Sequence, residues 1–239
     1  MTPSDRSAQE PLRANPYTAV PVPTRDRPGP WPGVVVVHDA FGLSDDMREQ
    51  ADWLAAAGHV VSVPDLFGGR RPLGCVRGAF RQLTAQQGPV FDEVERARVA
   101  LAGSPECTGA VAVLGYCMGG GFALVLAGRP GWAAASVNYG MVPENVDAIL
   151  SGACPVVASY GGKDRTLPGA AATLAAAAAA TGAVVDVHEY PDARHAFLNR
   201  LAVASPLTPL MKVTGVGYDH AAAADAKRRI LAFFDQHLR

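Results

Sequence analysis

Hydrophobic residues after residue 33 are concentrated in short continuous runs, separated by longer amphipathic stretches. The runs are rich in β-branched residues, are bounded by Gly or Pro, and lie at 34–38, 60–64, 110–115, 134–139, 155–160 and 184–190. Short runs without polar alternation are typical of strands that are buried on both faces of a parallel sheet. We therefore predict a strand at each of these places. A further, short edge strand is predicted at 17–22, in the proline-rich N-terminal region.

Helical periodicity marks the stretches between these runs. Residues 45–57 follow Ser44, a favourable N-cap, and stop at Gly58. Further helices are predicted at 90–102, 118–127, 170–181 and 221–238. Because strands and helices alternate along the chain, we predict an α/β fold with a doubly wound, mostly parallel sheet and helices on both faces. A single domain is expected over 31–239, preceded by an N-terminal segment over 1–30.

Composition and charge narrow the classes of partner. The chain has 239 residues, of which 49% are apolar and 18% are charged, as in ordinary globular proteins. The net charge is −1 and Lys and Arg form no run, so neither nucleic acid nor an anionic membrane is expected as a partner. The polar residues 1–13 do not resemble a secretory signal, and the alanine-rich stretch 166–185 is too weakly hydrophobic to span a membrane.

The four cysteines show no CxxC pair and no zinc-finger spacing with histidine. Neither a metal site nor a dense disulfide framework is predicted from this spacing. We therefore expect a protein of the reducing cytoplasm that uses no metal and no cofactor.

One segment carries a signature of chemistry, Gly115-Tyr116-Cys117-Met118-Gly119-Gly120. It lies where a predicted strand ends and a predicted helix begins. A nucleophile flanked by glycines at such a point is the nucleophile elbow of α/β hydrolases, here with Cys in place of Ser. A helix N-terminus also favours thiolate over thiol. The motif alone fits equally well with a glycine-rich turn that holds a buried cysteine.

Two further residues are expected at the same edge of the sheet. Asp164 follows the strand at 155–160, and His195 follows the strand at 184–190. The chain order Cys117, Asp164, His195 is the order of nucleophile, acid and base in α/β hydrolases. Other Asp, His and Cys residues could in principle serve as acid, base or nucleophile, but each has a simpler structural interpretation. Asp186 and His188 lie within a strand, His38 is expected to brace a loop, His59, His220 and His237 to lie at the surface, and Cys75, Cys107 and Cys154 to be structural thiols.

These segments together resemble the dienelactone hydrolases, or carboxymethylenebutenolidases, from about residue 34 to the C-terminus. The resemblance rests on the elbow and on His-Asp-Ala-Phe-Gly-Leu at 38–43, Pro-Asp-Leu-Phe at 64–67, Gly-Gly-Lys-Asp at 161–164, His-Ala-Phe at 195–197 and Gly-Tyr-Asp-His-Ala-Ala-Ala-Ala at 217–224. It implies a Cys117-His195-Asp164 triad and an oxyanion hole formed by the backbone N–H groups of Ala40 and Met118. It also implies hydrolysis of a small ester or lactone, including a carboxylate-bearing one. Separately from the resemblance, we expect a monomer or small homo-oligomer.

The chain departs from the family at several positions. Asp39 stands where the family has a glutamate that helps to ionise the cysteine, so it is the candidate for that role. The family holds a substrate carboxylate with arginines, one of them four residues after the histidine, but Asn199 occupies that position and Arg200 follows it. The substrate-binding candidates are Arg77, Arg81, Arg200 and Phe41, while Arg70 and Arg71 lie nearer to the end of the preceding strand.

Two other classes of function stay open at the level of sequence. A glutamine amidotransferase or a deglycase-like enzyme also mounts a cysteine on a strand-to-helix turn. The amidotransferase pattern, however, has Gln where Gly121 stands and a His-x-Glu pair in place of His195-Ala196-Phe197. The second alternative is a non-catalytic protein that has kept the fold, for which Asp39 and the altered arginines leave room.

Overall fold

A single twisted sheet organises the protein, for which a computed structural model describes residues 16–69, 72–200 and 216–238. Within these ranges seven strands lie in the order β1-β3-β2-β4-β5-β6-β7, and every neighbouring pair is parallel except β1 with β3. The strands are β1 (Tyr17–Ala19), β2 (Trp31–Val37), β3 (Val60–Val63), β4 (Cys107–Tyr116), β5 (Ala134–Asn138), β6 (Val156–Gly161) and β7 (Val185–Tyr190). The predicted fold class is confirmed, and the edge strand is shorter than predicted.

Helices cover both faces of this sheet. They are α1 (Asp45–Ala56), α2 (Pro72–Ala85), α3 (Pro89–Ala102), α4 (Met118–Ala127), α5 (Val146–Leu150), α6 (Ala170–Thr181) and α7 (His220–His237). Helices α2 and α5 were not predicted. Helix α5 is a single short turn, and α2 contains Gly74 and Gly78 and buries only a narrow stripe that includes Ala79 and Leu83. The single turn of α5 leaves no periodicity to detect, whereas α2 is amphipathic but its two glycines argue against a helix in the sequence.

Two hydrophobic cores explain the continuous apolar runs. Along β2, Val35 and Val37 face a core built with α2 to α6, whereas Val34 and Val36 face a core built with α1 and α7. His59, expected at the surface, is instead only 3% exposed, because the start of β3 lies under α7 and the His59 ring packs edge-on against Phe234. Among the described helices, none has the length and the hydropathy that a membrane span requires.

The parallel strands place the candidate residues together. The carboxyl ends of β2, β4, β6 and β7 point to one edge of the sheet and are followed there by Asp39, Cys117, Asp164 and His195. In open parallel sheets this edge is where ligands bind.

Candidate active site

Cys117 sits on a sharp turn between β4 and α4. Its backbone has φ 54° and ψ −115°, a strained conformation for a residue with a side chain. The turn depends on glycine on either side, since a Cβ at Gly115 would lie 1.9 Å from the Gly119 carbonyl oxygen, and one at Gly119 would lie 2.1 Å from that of Val37. This is the geometry of a nucleophile elbow. It presents the thiol beside the first N–H groups of α4, which have no partner within the helix.

The loops that follow β6 and β7 bring an acid and a histidine together. His195 Nδ1 donates to Asp164 Oδ2 at 2.6 Å. Backbone contacts hold the two loops against each other, because Lys163 N donates to the Ala193 carbonyl oxygen at 2.9 Å. A Cβ at Gly161 would lie 2.6 Å from that same oxygen, so the close approach requires glycine.

Thr166 is a further contact of this pair that the sequence reasoning missed. Its backbone N–H and its hydroxyl both donate to Asp164 Oδ1, at 2.8 and 2.6 Å, and the hydroxyl lies 3.2 Å from His195 Nδ1. Burial opposes ionisation of Asp164, but the hydrogen bonds from His195 and Thr166 outweigh it and lower the pKa of the carboxyl group. The signal that could have revealed Thr166 is a hydroxyl residue placed two positions after an acid in a loop.

The Cys117 side chain completes the set of contacts. Burial acts to lower the pKa of His195, but hydrogen bonds with Asp164 and Cys117, together with their charges, raise it to about 10. Since Nδ1 faces Asp164, Nε2 is the nitrogen left for the sulfur. The structure therefore brings the three sequence candidates together in one series: His195 is hydrogen-bonded to Asp164, and the thiol of Cys117 is near enough to act on the pKa of the imidazole.

The loop after β2 lies beside this series. His38 braces it as expected: its Nδ1 lies 2.7 Å from the Asp39 carbonyl oxygen, and its Nε2 accepts a hydrogen bond from Leu66 N at 3.1 Å. Burial lowers the pKa of His38 and so favours the neutral ring. Gly119 approaches the end of β2 closely, so the start of α4, with Met118, lies next to the loop after β2, with Ala40.

Asp39 is the buried carboxylate of this loop, with 3% of its surface exposed. Its Oδ1 accepts the backbone N–H of Phe41 at 2.8 Å, which closes a turn around Ala40. Burial raises the pKa of Asp39 to about 6; the Phe41 N–H lowers it, the charge of Asp46 raises it further, and the charge of His195 lowers it. The Asp39 carboxylate thus interacts with His195 through its charge, while its hydrogen bond is to the backbone N–H of Phe41 in its own loop.

The substrate-binding candidates are more scattered. Arg77 and Arg81 lie exposed on α2, and within the described residues neither forms an ion pair. The Arg200 guanidinium packs over the Tyr218 ring, 5.0 Å from its centroid, and Phe41 is 48% exposed. Arg70 and Arg71 lie outside the described residues. In the described part of the chain, no group of His, Cys, Asp and Glu side chains is arranged to hold a metal ion.

Comparison with known proteins identifies the family of the chain. The sequence profile of the dienelactone hydrolase family matches residues 18–238. The chain belongs to the dienelactone hydrolase family. It is 26% identical over 215 residues to a carboxymethylenebutenolidase of Pseudomonas putida, which covers 85% of each chain. Membership of this hydrolase family gives no support to the amidotransferase alternative.

Solved structures agree on the fold of this dienelactone hydrolase family member. A Klebsiella pneumoniae protein described as a dienelactone hydrolase superposes with a TM-score of 0.72 at 24% identity, over 90% of each chain. A dienelactone hydrolase-like promiscuous phosphotriesterase from metagenomic libraries gives 0.70 at 22% identity, again over 90% of each chain. At these identities the structures establish the α/β-hydrolase fold alone.

Proposed function

We propose that this protein hydrolyses a small ester or lactone through a covalent thioester on Cys117. The observation that carries the proposal is the His195–Asp164 hydrogen bond beside Cys117 on its strained turn, at the carboxyl edge of the sheet. A thiol on a strained elbow, beside an imidazole that a buried carboxylate orients, has the parts needed for nucleophilic catalysis. The carboxymethylenebutenolidase name of the Pseudomonas putida relative agrees with a lactone as substrate.

The reaction follows from these positions. The Cys117 thiolate attacks the carbonyl carbon, and the oxygen takes up the negative charge. The N–H groups of Ala40 and Met118 are the proposed donors to that oxygen, and a donor of this kind is worth roughly 3 kcal/mol of barrier. When the C–O bond breaks, the His195 imidazolium gives its proton to the leaving oxygen.

Water then completes the cycle. It gives a proton to His195 as it attacks the thioester carbonyl, and the C–S bond breaks to restore the thiolate beside the imidazolium. Asp164 stays ionised, because its pKa is lowered, and holds the imidazole through Nδ1. Asp39 supports the oxyanion region by closing the turn around Ala40, and its charge favours the imidazolium.

The role of Cys117 is tested by comparing its replacement with that of another cysteine, Cys154. Hydrolysis of p-nitrophenyl acetate and of a dienelactone is measured for wild type, Cys117→Ala and Cys154→Ala. Cys154 is a suitable control because burial raises the pKa of its thiol to about 12. We expect Cys117→Ala to lose at least about 10³-fold in kcat and to escape iodoacetamide labelling, while Cys154→Ala keeps both properties. Equal rates in wild type and Cys117→Ala would contradict the proposal.

The charge of the substrate is addressed with the same assay. A preference for carboxylate-bearing lactones over neutral ones, lost in Arg77→Ala or Arg81→Ala, would assign the carboxylate to α2. A matching loss in Arg200→Ala would assign it to the segment after the histidine. Indifference to charge would make the protein a general esterase. A cytoplasmic location and a monomer or small homo-oligomer remain part of the proposal.

A further inference from the structure

A buried polar connection joins α1 to the segment that follows His195. Asp46 is 8% exposed; its Oδ2 accepts from Asn199 Nδ2 at 2.5 Å, and its Oδ1 accepts from Arg200 N at 2.8 Å. One turn further along the same helix face, Gln50 Nε2 donates to the Leu198 carbonyl oxygen at 3.0 Å. Two side chains of α1 therefore fix the chain three to five residues after the histidine.

Tyr139 links this connection to the histidine itself. Its side chain is fully buried, its hydroxyl donates to Asn199 Oδ1, and its ring packs edge-on against the His195 imidazole with a centroid distance of 5.2 Å. The backbone of Tyr139 has φ 41°. A bulky residue keeps such a conformation only where its surroundings hold it. The hydroxyl of Tyr139 is thus held by Asn199, while the ring of Tyr139 packs against the imidazole of His195.

The imidazole needs this second contact for a geometric reason. The hydrogen bond to Asp164 fixes Nδ1, and a rotation of the ring about that bond would move Nε2 away from the sulfur. The backbone next to His195 is itself strained, with Ala196 at φ 58°. A rigid aromatic edge against the ring removes the remaining freedom, and misplacement by about 1 Å is enough to cost two orders of magnitude in rate.

We propose that Tyr139, held by Asn199 and Asp46, is a positioning residue for the His195 imidazole. It acts through the imidazole and takes no part in the bonds that form or break in the proposed reaction. The inference rests on the proposed function for its effect on catalysis, but the positioning itself is measurable without turnover. It also assigns a role to Asn199: the amide turns inward, 1% exposed, to bridge Tyr139 and Asp46.

The test compares two buried tyrosines. Tyr139→Phe removes the hydroxyl that bonds Asn199, and Tyr160→Phe removes one that donates to the Gly140 carbonyl oxygen at 3.1 Å. Tyr160 belongs to the other core, on the opposite face of the sheet, and its hydroxyl bonds the residue after Tyr139 and not the segment that follows His195. We expect similar losses of thermal stability in the two variants. Only Tyr139→Phe should lower kcat, by about tenfold, with KM unchanged.

A second readout separates this inference from the proposed function. The imidazole nitrogens of His195 are followed by NMR titration in the Cys117→Ala background, where no turnover is required. Tyr139→Phe should broaden or shift these signals, and Tyr160→Phe should not. Asn199→Ser disrupts the same hydrogen bond and should give the same pattern, so it replaces Tyr139→Phe if Tyr139→Phe folds poorly. Unchanged signals and unchanged kcat in Tyr139→Phe, or equal changes in both tyrosine variants, would overturn the inference. Activity retained in Cys117→Ala would overturn the proposed function and leave the NMR result standing.

Discussion

The two halves of the catalytic edge are built by different means. The half that carries Cys117, Asp164 and His195 is held by backbone against backbone, at approaches so close that only glycine fits at Gly115, Gly119 and Gly161. The half formed by the loop after β2 and by α2 is held by side chains, chiefly the buried Asp39 and its bond to Phe41. Backbone approaches leave a glycine signature in the sequence, whereas an aspartate that closes its own turn looks like any other aspartate of a loop. The comparison explains why Cys117 could be located from its pattern alone, whereas Asp39 became a candidate only through the family resemblance.

The largest effect is expected where the backbone approach is closest. Gly119→Ala would place a methyl group 2.1 Å from the Val37 carbonyl oxygen, and neither backbone can move without opening the elbow. We expect a loss of at least about 4 kcal/mol in the free energy of unfolding, or failure to fold. Urea denaturation measures it. Gly78→Ala on α2 is the control, because a Cβ there meets nothing within 4 Å; it should gain roughly 0.5–1 kcal/mol. Equal stabilities in the two variants would show that the approach at the elbow can relax.

A second, smaller effect concerns the acid of the series. Asp164→Asn removes the negative charge and replaces one of the two acceptor oxygens of a group that helps to raise the pKa of His195 to about 10. We expect kcat to fall by about 10²–10⁴-fold and the alkaline limb of the pH–rate profile to move to lower pH. The control is Asp192→Asn, which breaks an exposed contact of 2.6 Å with Lys163 between the same two loops. An exposed ion pair contributes little free energy to the fold, so the kcat of Asp192→Asn should stay within about twofold of the wild-type value. Similar losses in both would mean that Asp164 only joins the loops.

The sequence predicted the sheet, five of the helices and the three residues of the series because each has a local signature. Continuous apolar runs mark doubly buried strands, and position after a strand places Cys117, Asp164 and His195 at one edge. The partners of these residues were not predictable in the same way. Asp46 and Asn199 are 153 positions apart, and an acid in the first turn of a helix reads as an ordinary helix-start residue. Only the folded arrangement reveals that it supports the histidine segment.

The smallest expected effect tests the side-chain half, through the pH dependence of stability. Burial raises the pKa of Asp39 from 3.8 to about 6, so the folded protein favours the protonated carboxyl. The stability associated with that proton is complete below about pH 4 and is lost as the pH rises through 6. Asp39→Asn cannot ionise. The free energy of unfolding of this variant should therefore rise relative to that of wild type between pH 4 and pH 7, by up to about 3 kcal/mol, so the variant becomes the more stable protein.

The activity of the same variant should move in the opposite direction. Loss of the carboxylate removes a charge that favours the His195 imidazolium, so we expect a several-fold lower kcat above pH 6 and little difference below it. Asp65→Asn is a useful control, since Asp65 also binds backbone N–H groups of its own loop, those of Phe67 and Gly69, but at the end of β3. A pH-independent loss in Asp39→Asn, equal to that in Asp65→Asn, would mean that Asp39 acts only by shaping its loop. A pH-dependent loss confined to Asp39→Asn would show that this half of the edge contributes charge as well as shape.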